Sequence, residues 1–254
     1  GLVTDWLIAP MEQRVLYLDY ETSPHEMRRR ILMLRRGFGL DGPGGILYRF
    51  CEAALDTQAD ELKEVIANEG ITFVIVDSVG LACGGEPEVA DVVLSYFRTL
   101  RSFRVTTLSI DHKSKMTGAL GAFGSVYKMN SARWAWEVMS ERDLEQDTLT
   151  VGLFHKKFNN ARPFKPIALE FAFQGNAVGV KPGTLPSVGD LADRMSLPDR
   201  IAAFLKQGAH TTKEIAEALG VSEVSVRVAL NRGRDKPFTK IDEHRWGVLV
   251  VGVS

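Results

Sequence analysis

The sequence has few cysteines, no long apolar run and no excess of either charge. Its two cysteines, Cys51 and Cys83, lie far apart and lack the spacing of a metal site or an even disulfide framework. No apolar stretch reaches the roughly 18 residues that a membrane span requires, and the first residues do not resemble a signal peptide. The net charge of -1 restricts any nucleic-acid contact to a local surface. These absences predict a reduced, cytoplasmic protein with no membrane association.

The most informative stretch is Ile71–Ser78, with the sequence ITFVIVDS. Its uninterrupted β-branched run is typical of a parallel strand that is buried on both faces, and such strands occur in α/β proteins. Ligands of open α/β sheets bind outside the carboxyl ends of the strands, where Asp77 would lie. A carboxylate at this position can hold Mg²⁺ beside a nucleotide phosphate, or it can cap a strand-to-helix turn.

A second run, Arg14–Glu21 (RVLYLDYE), has the same character and also ends in acidic residues. Two adjacent parallel strands would bring Glu21 and Asp77 to one edge of a sheet. One carboxylate could then bind the metal while the other polarises a water, as the hydrolysis of a phosphoanhydride requires.

These two motifs resemble those of RecA-like ATPases, in particular the hexameric replicative-helicase branch that includes DnaB and plasmid RepA proteins, and related phage ATPases. In that family the "LDxE" strand supplies the catalytic glutamate, matched by Glu21, and the "VIVDS" strand is the Walker B strand, matched by Asp77 and Ser78. The resemblance covers residues 1–181. It implies an α/β fold with a mostly parallel sheet, helices on both faces and antiparallel strands at its end. It also implies ATP and Mg²⁺ as cofactors, a ring that is a hexamer, and single-stranded DNA in its channel.

Further motifs extend this resemblance. His112 follows the predicted strand 105–110 and matches the histidine that senses the γ-phosphate in the RepA-like branch, although a histidine in a basic loop is also an ordinary surface residue. Residues 121–134 resemble the "FGS…N.AR..W" element of phage relatives, which adjoins a loop that faces nucleic acid. This segment can contact a phosphate backbone or serve as a plain linker, and its candidate DNA contacts are Lys113, Lys115, Lys128 and Arg133. Residues 155–160 resemble the family element whose cations reach the neighbouring subunit's ATP, which makes Lys156 or Lys157 the candidate catalytic finger.

The phosphate-binding motif G-x-x-x-x-G-K-S/T does not occur in the sequence. We therefore expect either an N-terminally truncated ATPase or a degenerate domain that does not hydrolyse ATP, with weak or absent turnover by the 254 residues given. The function that the resemblance implies is an ATP-dependent DNA-translocating motor, a replicative helicase or RepA-like ATPase of phage or plasmid type replication or recombination. The alternative is a non-catalytic DNA-binding or regulatory protein built on a degenerate RecA-like scaffold.

The C-terminal part reads as a separate domain. Composition predicts a linker over 182–196. In residues 197–254 a helix is followed by a capping box from Thr211 to Glu214, a glycine turn and a second capped helix, which is typical of a helix-turn-helix, and residues 238–249 read as a two-stranded wing. This part of the sequence resembles winged helix-turn-helix domains. Such domains bind duplex DNA or dock other proteins. The candidate DNA contacts are the following residues: Ser222, Ser225, Arg227, Arg232, Arg234 and Lys236.

Overall fold

The computed structural model describes residues 13–40, 45–112, 126–159, 164–186, 191–231 and 238–248. The contacts divide the chain into two compact units. One unit comprises residues 1–137, 156–163 and 173–179, and the other comprises residues 138–155, 164–172 and 180–254. Within the described ranges, no helix is both long enough and apolar enough to cross a bilayer.

A four-stranded parallel sheet forms the centre of the first unit. Its strands are β1 (Val15–Asp19), β2 (Ile46–Phe50), β3 (Phe73–Asp77) and β4 (Thr106–Ile110), in the order β2-β1-β3-β4. All three pairings are parallel, and the last residue of each strand lies in register with the last residue of its neighbour. The carboxyl ends of all four strands therefore form one level edge. A parallel sheet with helices between its strands is consistent with a RecA-like fold.

Helices lie between these strands in the chain. They are α1 (Pro24–Gly37), α2 (Ala59–Asn68), α3 (Val79–Ala82) and α4 (Ala90–Ser102). Leu18 and Val76 are fully buried in a core that includes Leu62 of α2 and Tyr96 of α4. The sequence predicted that β3 is buried on both faces, but Phe73 and Ile75 are only half-buried, because the core of α2 and α4 contacts the alternate residues.

The helix α5 (Val126–Ser131) precedes a second sheet, which consists of β5 (Trp134–Asp143), β6 (Thr148–Phe158), β7 (Ile167–Gln174) and β8 (Ala177–Pro182) in sequential order. Strands β6 and β7 are antiparallel. Phe154 and Ala168 pack in a small core with Leu185 and Leu191. The predicted linker over 182–196 contains three buried apolar side chains, those of Leu185, Leu191 and Ala192.

The C-terminal residues form three helices and a small sheet. The helices are α6 (Leu197–Leu205), α7 (Thr212–Leu219) and α8 (Glu223–Asn231), and the sheet has the order β10 (Phe238–Lys240), β11 (Arg245–Val248), β9 (His210–Thr211) with antiparallel pairings. The predicted capping box of Thr211 and Glu214 begins α7, and Gly220 ends it with a φ of 64°, a conformation that favours glycine. All three helices contribute to one apolar core.

Candidate active site

Polar side chains follow three strands of the parallel sheet at the edge where the strands end. Glu21 lies two residues after β1, Ser78 directly follows β3, and His112 lies two residues after β4. Ser78 Oγ donates a hydrogen bond to Glu21 Oε1, and His112 Nε2 lies 2.7 Å from the same oxygen. The structure thus brings Glu21, Ser78 and His112 together, and Asp77 ends β3 at the same edge.

The contacts between Glu21, Ser78 and His112 change the pKa values of Glu21 and His112. The hydrogen bond from Ser78, and after it the one from His112, lower the pKa of Glu21, while burial acts in the opposite direction. The hydrogen bond to Glu21 and its negative charge raise the pKa of His112. Because the His112 side chain is 72% exposed, solvent screens the pair and its effect on stability is small. The arrangement keeps Glu21 ionised, as a group that polarises a water must be.

The carboxylate of Asp77 is held by a phenol. Tyr17 Oη on β1 donates to Asp77 Oδ2 at a distance of 2.6 Å. Burial, and next the hydrogen bond to Asp77, raise the pKa of Tyr17, so that the phenol stays protonated and remains a donor.

The neighbouring carboxylate, Asp19, has a different set of partners. Its Oδ1 accepts the backbone N–H groups of Glu21 and Thr22 at 2.9 and 2.8 Å. Its Oδ2 accepts from Tyr48 Oη at 3.0 Å, and the side chain is completely buried. Burial followed by the hydrogen bond to Asp19 raises the pKa of Tyr48 to about 12. Asp19 therefore closes the turn that presents Glu21.

The sequence analysis missed both tyrosines. Tyr17 and Asp19 lie two residues apart, and residues at this spacing share one face of a strand. From this spacing the sequence could have predicted that a tyrosine lies close to the acidic ends of the strands.

The donor set at this edge fits Mg²⁺ and not a metal that needs a cage of protein ligands. Asp77 and Ser78 offer hard oxygen atoms, and Mg²⁺ is commonly bound by one or two carboxylates together with substrate phosphates and water. Within the described residues, no group of three or more histidine, cysteine, aspartate and glutamate side chains is placed to hold a metal. Asp77 is thus suited to a cation that a nucleotide also binds.

The predicted DNA contact Lys128 has a different environment. Its Nζ lies 2.9 Å from Asp111 Oδ2, and the two side chains are only 7% and 11% exposed. An ammonium group in a buried ion pair is not presented to a nucleic acid. Lys128 instead joins α5 to the residue that precedes His112. Arg133, the other described candidate in this region, is exposed.

The two candidate finger lysines also bind groups of their own chain. Lys156 Nζ lies 2.7 Å from the buried carboxylate of Glu137. Lys157 Nζ donates to the backbone carbonyl oxygens of Met129, Asn130 and Ala132 at 2.6, 3.2 and 2.8 Å. Lys157 therefore caps the C-terminal end of α5, where a cation is favourable. Both ammonium groups are therefore engaged within their own chain.

Comparisons with known proteins found a family model and a solved structure that are similar to this chain. Residues 2–118 match the family described as AAA domain. The matched residues include Glu21, Asp77 and His112, and the match supports an ATPase domain in this part of the chain. Among solved structures, a KaiC-like protein from the hyperthermophilic archaeon Pyrococcus horikoshii OT3 is similar, with 18% identity over 67% of this chain and 77% of that chain and a TM-score of 0.47. No curated protein matches the sequence.

The C-terminal candidates lie outside the matched AAA segment. Ser222 Oγ accepts from the backbone N–H of Ser225, as a helix cap does, and Arg227 pairs with Glu223 at 3.0 Å on the exposed side of α8. The side chain of Val224, on the same helix, is 69% exposed. The remaining candidates lie outside the described residues: Lys113, Lys115, Arg232, Arg234 and Lys236.

Proposed function

We propose that the chain belongs to the motor part of an ATP-driven DNA-translocating protein of the replicative-helicase or RepA type. The observation that carries this proposal is the meeting of Glu21, Ser78 and His112 beside Asp77 at the carboxyl edge of a parallel sheet. The match of residues 2–118 to the AAA domain family supports ATP as the ligand.

Glu21 is the group that polarises the attacking water in this proposal. Ser78 and His112 both contact Oε1, and in the described part of the chain no donor contacts Oε2. Oε2 can thus accept a hydrogen bond from a water while the two donors fix the orientation of the carboxylate. His112 is exposed enough to contact a γ-phosphate, and a charged imidazole would attract its oxygens.

Asp77 would hold Mg²⁺ through a side-chain oxygen, while the buried hydroxyl of Ser78 donates to Glu21 and orients that carboxylate. The bound ion would neutralise charge on the β- and γ-phosphates. The proposal assigns the lysines no part in this chemistry, because Lys128, Lys156 and Lys157 bind groups of their own chain. It also includes self-association into a ring, as in the helicases that the sequence resembles.

A second candidate function is a non-catalytic DNA-binding protein on the same scaffold, which the missing G-x-x-x-x-G-K-S/T motif favours. Calorimetry with ATP distinguishes the two. For the motor, we expect ATP binding that depends on Mg²⁺ and is lost in Asp77→Asn. Glu21→Gln should keep the binding and remove the hydrolysis, which we expect to be slow.

A matched control for both variants is Asp60→Asn, since the Asp60 carboxylate is 96% exposed and pairs with Lys63 of the same helix. The catalytic proposal fails if ATP does not bind, if binding is independent of Asp77, or if Glu21→Gln hydrolyses ATP at the native rate.

We also propose that the C-terminal helices and sheet form a winged helix that binds duplex DNA through α8. The arrangement of α6, α7 and α8 with a three-stranded antiparallel sheet supports this fold. Arg227→Ala should weaken the binding of a labelled duplex, measured by fluorescence anisotropy. The matched control is Lys213→Ala, because Lys213 also pairs with an acidic residue one helical turn away. This variant should leave the binding of the duplex unchanged. Equal effects of the two variants would indicate a non-specific charge contribution instead.

A further inference from the structure

Two phenols hold the two acidic strand tips in the same way. Asp19 and Asp77 are register partners at the ends of β1 and β3, and Tyr17 and Tyr48 are register partners on β1 and β2. Each tyrosine donates to the carboxylate that lies two residues further along the next strand, Tyr48 to Asp19 and Tyr17 to Asp77. Two residues of a strand span about 6.6 Å, which a phenol ring lying along the strand can bridge.

The two carboxylates differ in whether an oxygen atom remains available to bind a ligand. Both oxygens of Asp19 accept hydrogen bonds from the protein, three in total, and the side chain is inaccessible to solvent. For Asp77, only Oδ2 accepts a hydrogen bond from the described part of the chain, and the donor is Tyr17. Asp77 therefore keeps Oδ1 for a further partner, and Asp19 does not.

We propose that Tyr17 is a positioning residue that fixes the rotation of the Asp77 carboxylate, so that Oδ1 faces the strand-tip edge and binds a divalent cation. This inference rests on the proposed role of Asp77 in binding Mg²⁺. Tyr17 itself does not touch the cation.

The structure holds Tyr17 firmly enough for this role. It lies within β1, paired on one side with β2 and on the other with β3, and its ring stacks on Tyr48 with a centroid distance of 6.4 Å. A phenylalanine at this position keeps the ring and loses only the donor. The carboxylate of Asp77 would then rotate more freely and would lose order before it binds a cation. Loss of a group that orients a metal ligand typically lowers metal affinity about 10- to 100-fold.

The test uses Mn²⁺ as a probe and the intact 254-residue chain. Mn²⁺ broadens the NMR signals of nearby protons, and His112 supplies a reporter at the same edge of the sheet, assigned by its loss in His112→Asn. Titration gives an apparent affinity without ATP and without turnover. The variants are Tyr17→Phe, Asp77→Asn and, as the matched control, Tyr48→Phe. The control removes the same hydroxyl from the stacked partner ring but leaves Asp77 and its donor intact.

We expect Asp77→Asn to abolish the broadening, Tyr17→Phe to weaken the affinity at least 10-fold, and Tyr48→Phe to change it less than twofold. Native affinity in Tyr17→Phe, with the loss in Asp77→Asn preserved, would overturn the positioning role and leave the proposed function intact. Equal weakening by Tyr17→Phe and Tyr48→Phe would also overturn it, because the effect would then be a general loosening of the strands. Broadening that does not depend on Asp77 would refute the metal role itself.

Discussion

Replacement of Lys128 with methionine tests the contribution of the buried ion pair to stability. At 2.9 Å the attraction between the unit charges of Lys128 and Asp111 is about 6 kcal/mol for an effective dielectric constant of about 20. Removal of the two ions from water costs several kcal/mol each, so the net contribution of the intact pair is small. A single replacement nevertheless leaves Asp111 buried without its partner, which costs about 3–5 kcal/mol.

Urea unfolding of Lys128→Met, followed by circular dichroism and tryptophan fluorescence, should show this loss. The double variant Lys128→Met with Asp111→Val removes both charges and should regain most of the stability. The matched control is Lys63→Met, which breaks an exposed pair with Asp60 and should cost less than about 1 kcal/mol. A loss below about 1 kcal/mol in Lys128→Met would show that water reaches the pair, and the argument from burial would be wrong.

Three further predictions concern other contacts. The pKa of His112, measured by NMR, should lie above its usual range and return toward it in Glu21→Gln; an unchanged pKa would contradict the pairing. Both groups are charged only at a pH above the lowered pKa of Glu21 and below the raised pKa of His112. The small stabilisation by this pair is therefore lost as the pH rises through the pKa of His112. Thr211→Ala removes the cap of α7 and should cost about 1 kcal/mol in urea unfolding, whereas no cost would mean that solvent replaces the cap. Lys157→Met should speed hydrogen exchange at the end of α5, and native rates there would show that the carbonyl contacts contribute nothing.

The strands that carry the site could be predicted because each is a short apolar run that ends in a polar residue. The predicted runs Ile71–Ser78 and Arg14–Glu21 contain β3 and β1, and residues 105–110 contain β4. Strand β2 was not predicted. Its apolar sequence is interrupted by Arg49 and directly follows a glycine-rich turn, so that it was assigned to no strand.

The partners of the lysines could not be predicted, because they are distant in the sequence. Asp111 lies 17 residues before Lys128, and the carbonyl groups that Lys157 binds lie 25 to 28 residues before it. A lysine near a glycine-rich stretch looks like a phosphate contact when only its neighbours in the chain are considered. Its burial depends on where α5 packs, and the sequence gives no local signal for that packing.

The two aspartates at the strand tips show what a sequence motif leaves undecided. Asp19 and Asp77 have the same chemistry and the same register, and each ends an apolar parallel strand. Their difference does not arise from the phenols, because Tyr48 donates to Oδ2 of Asp19 as Tyr17 donates to Oδ2 of Asp77. In the turn after β1 the backbone N–H groups of Glu21 and Thr22 donate to Oδ1 of Asp19, whereas no donor in the described part of the chain contacts Oδ1 of Asp77. The turn that follows each strand therefore decides which acidic tip is capped and which one can bind a ligand.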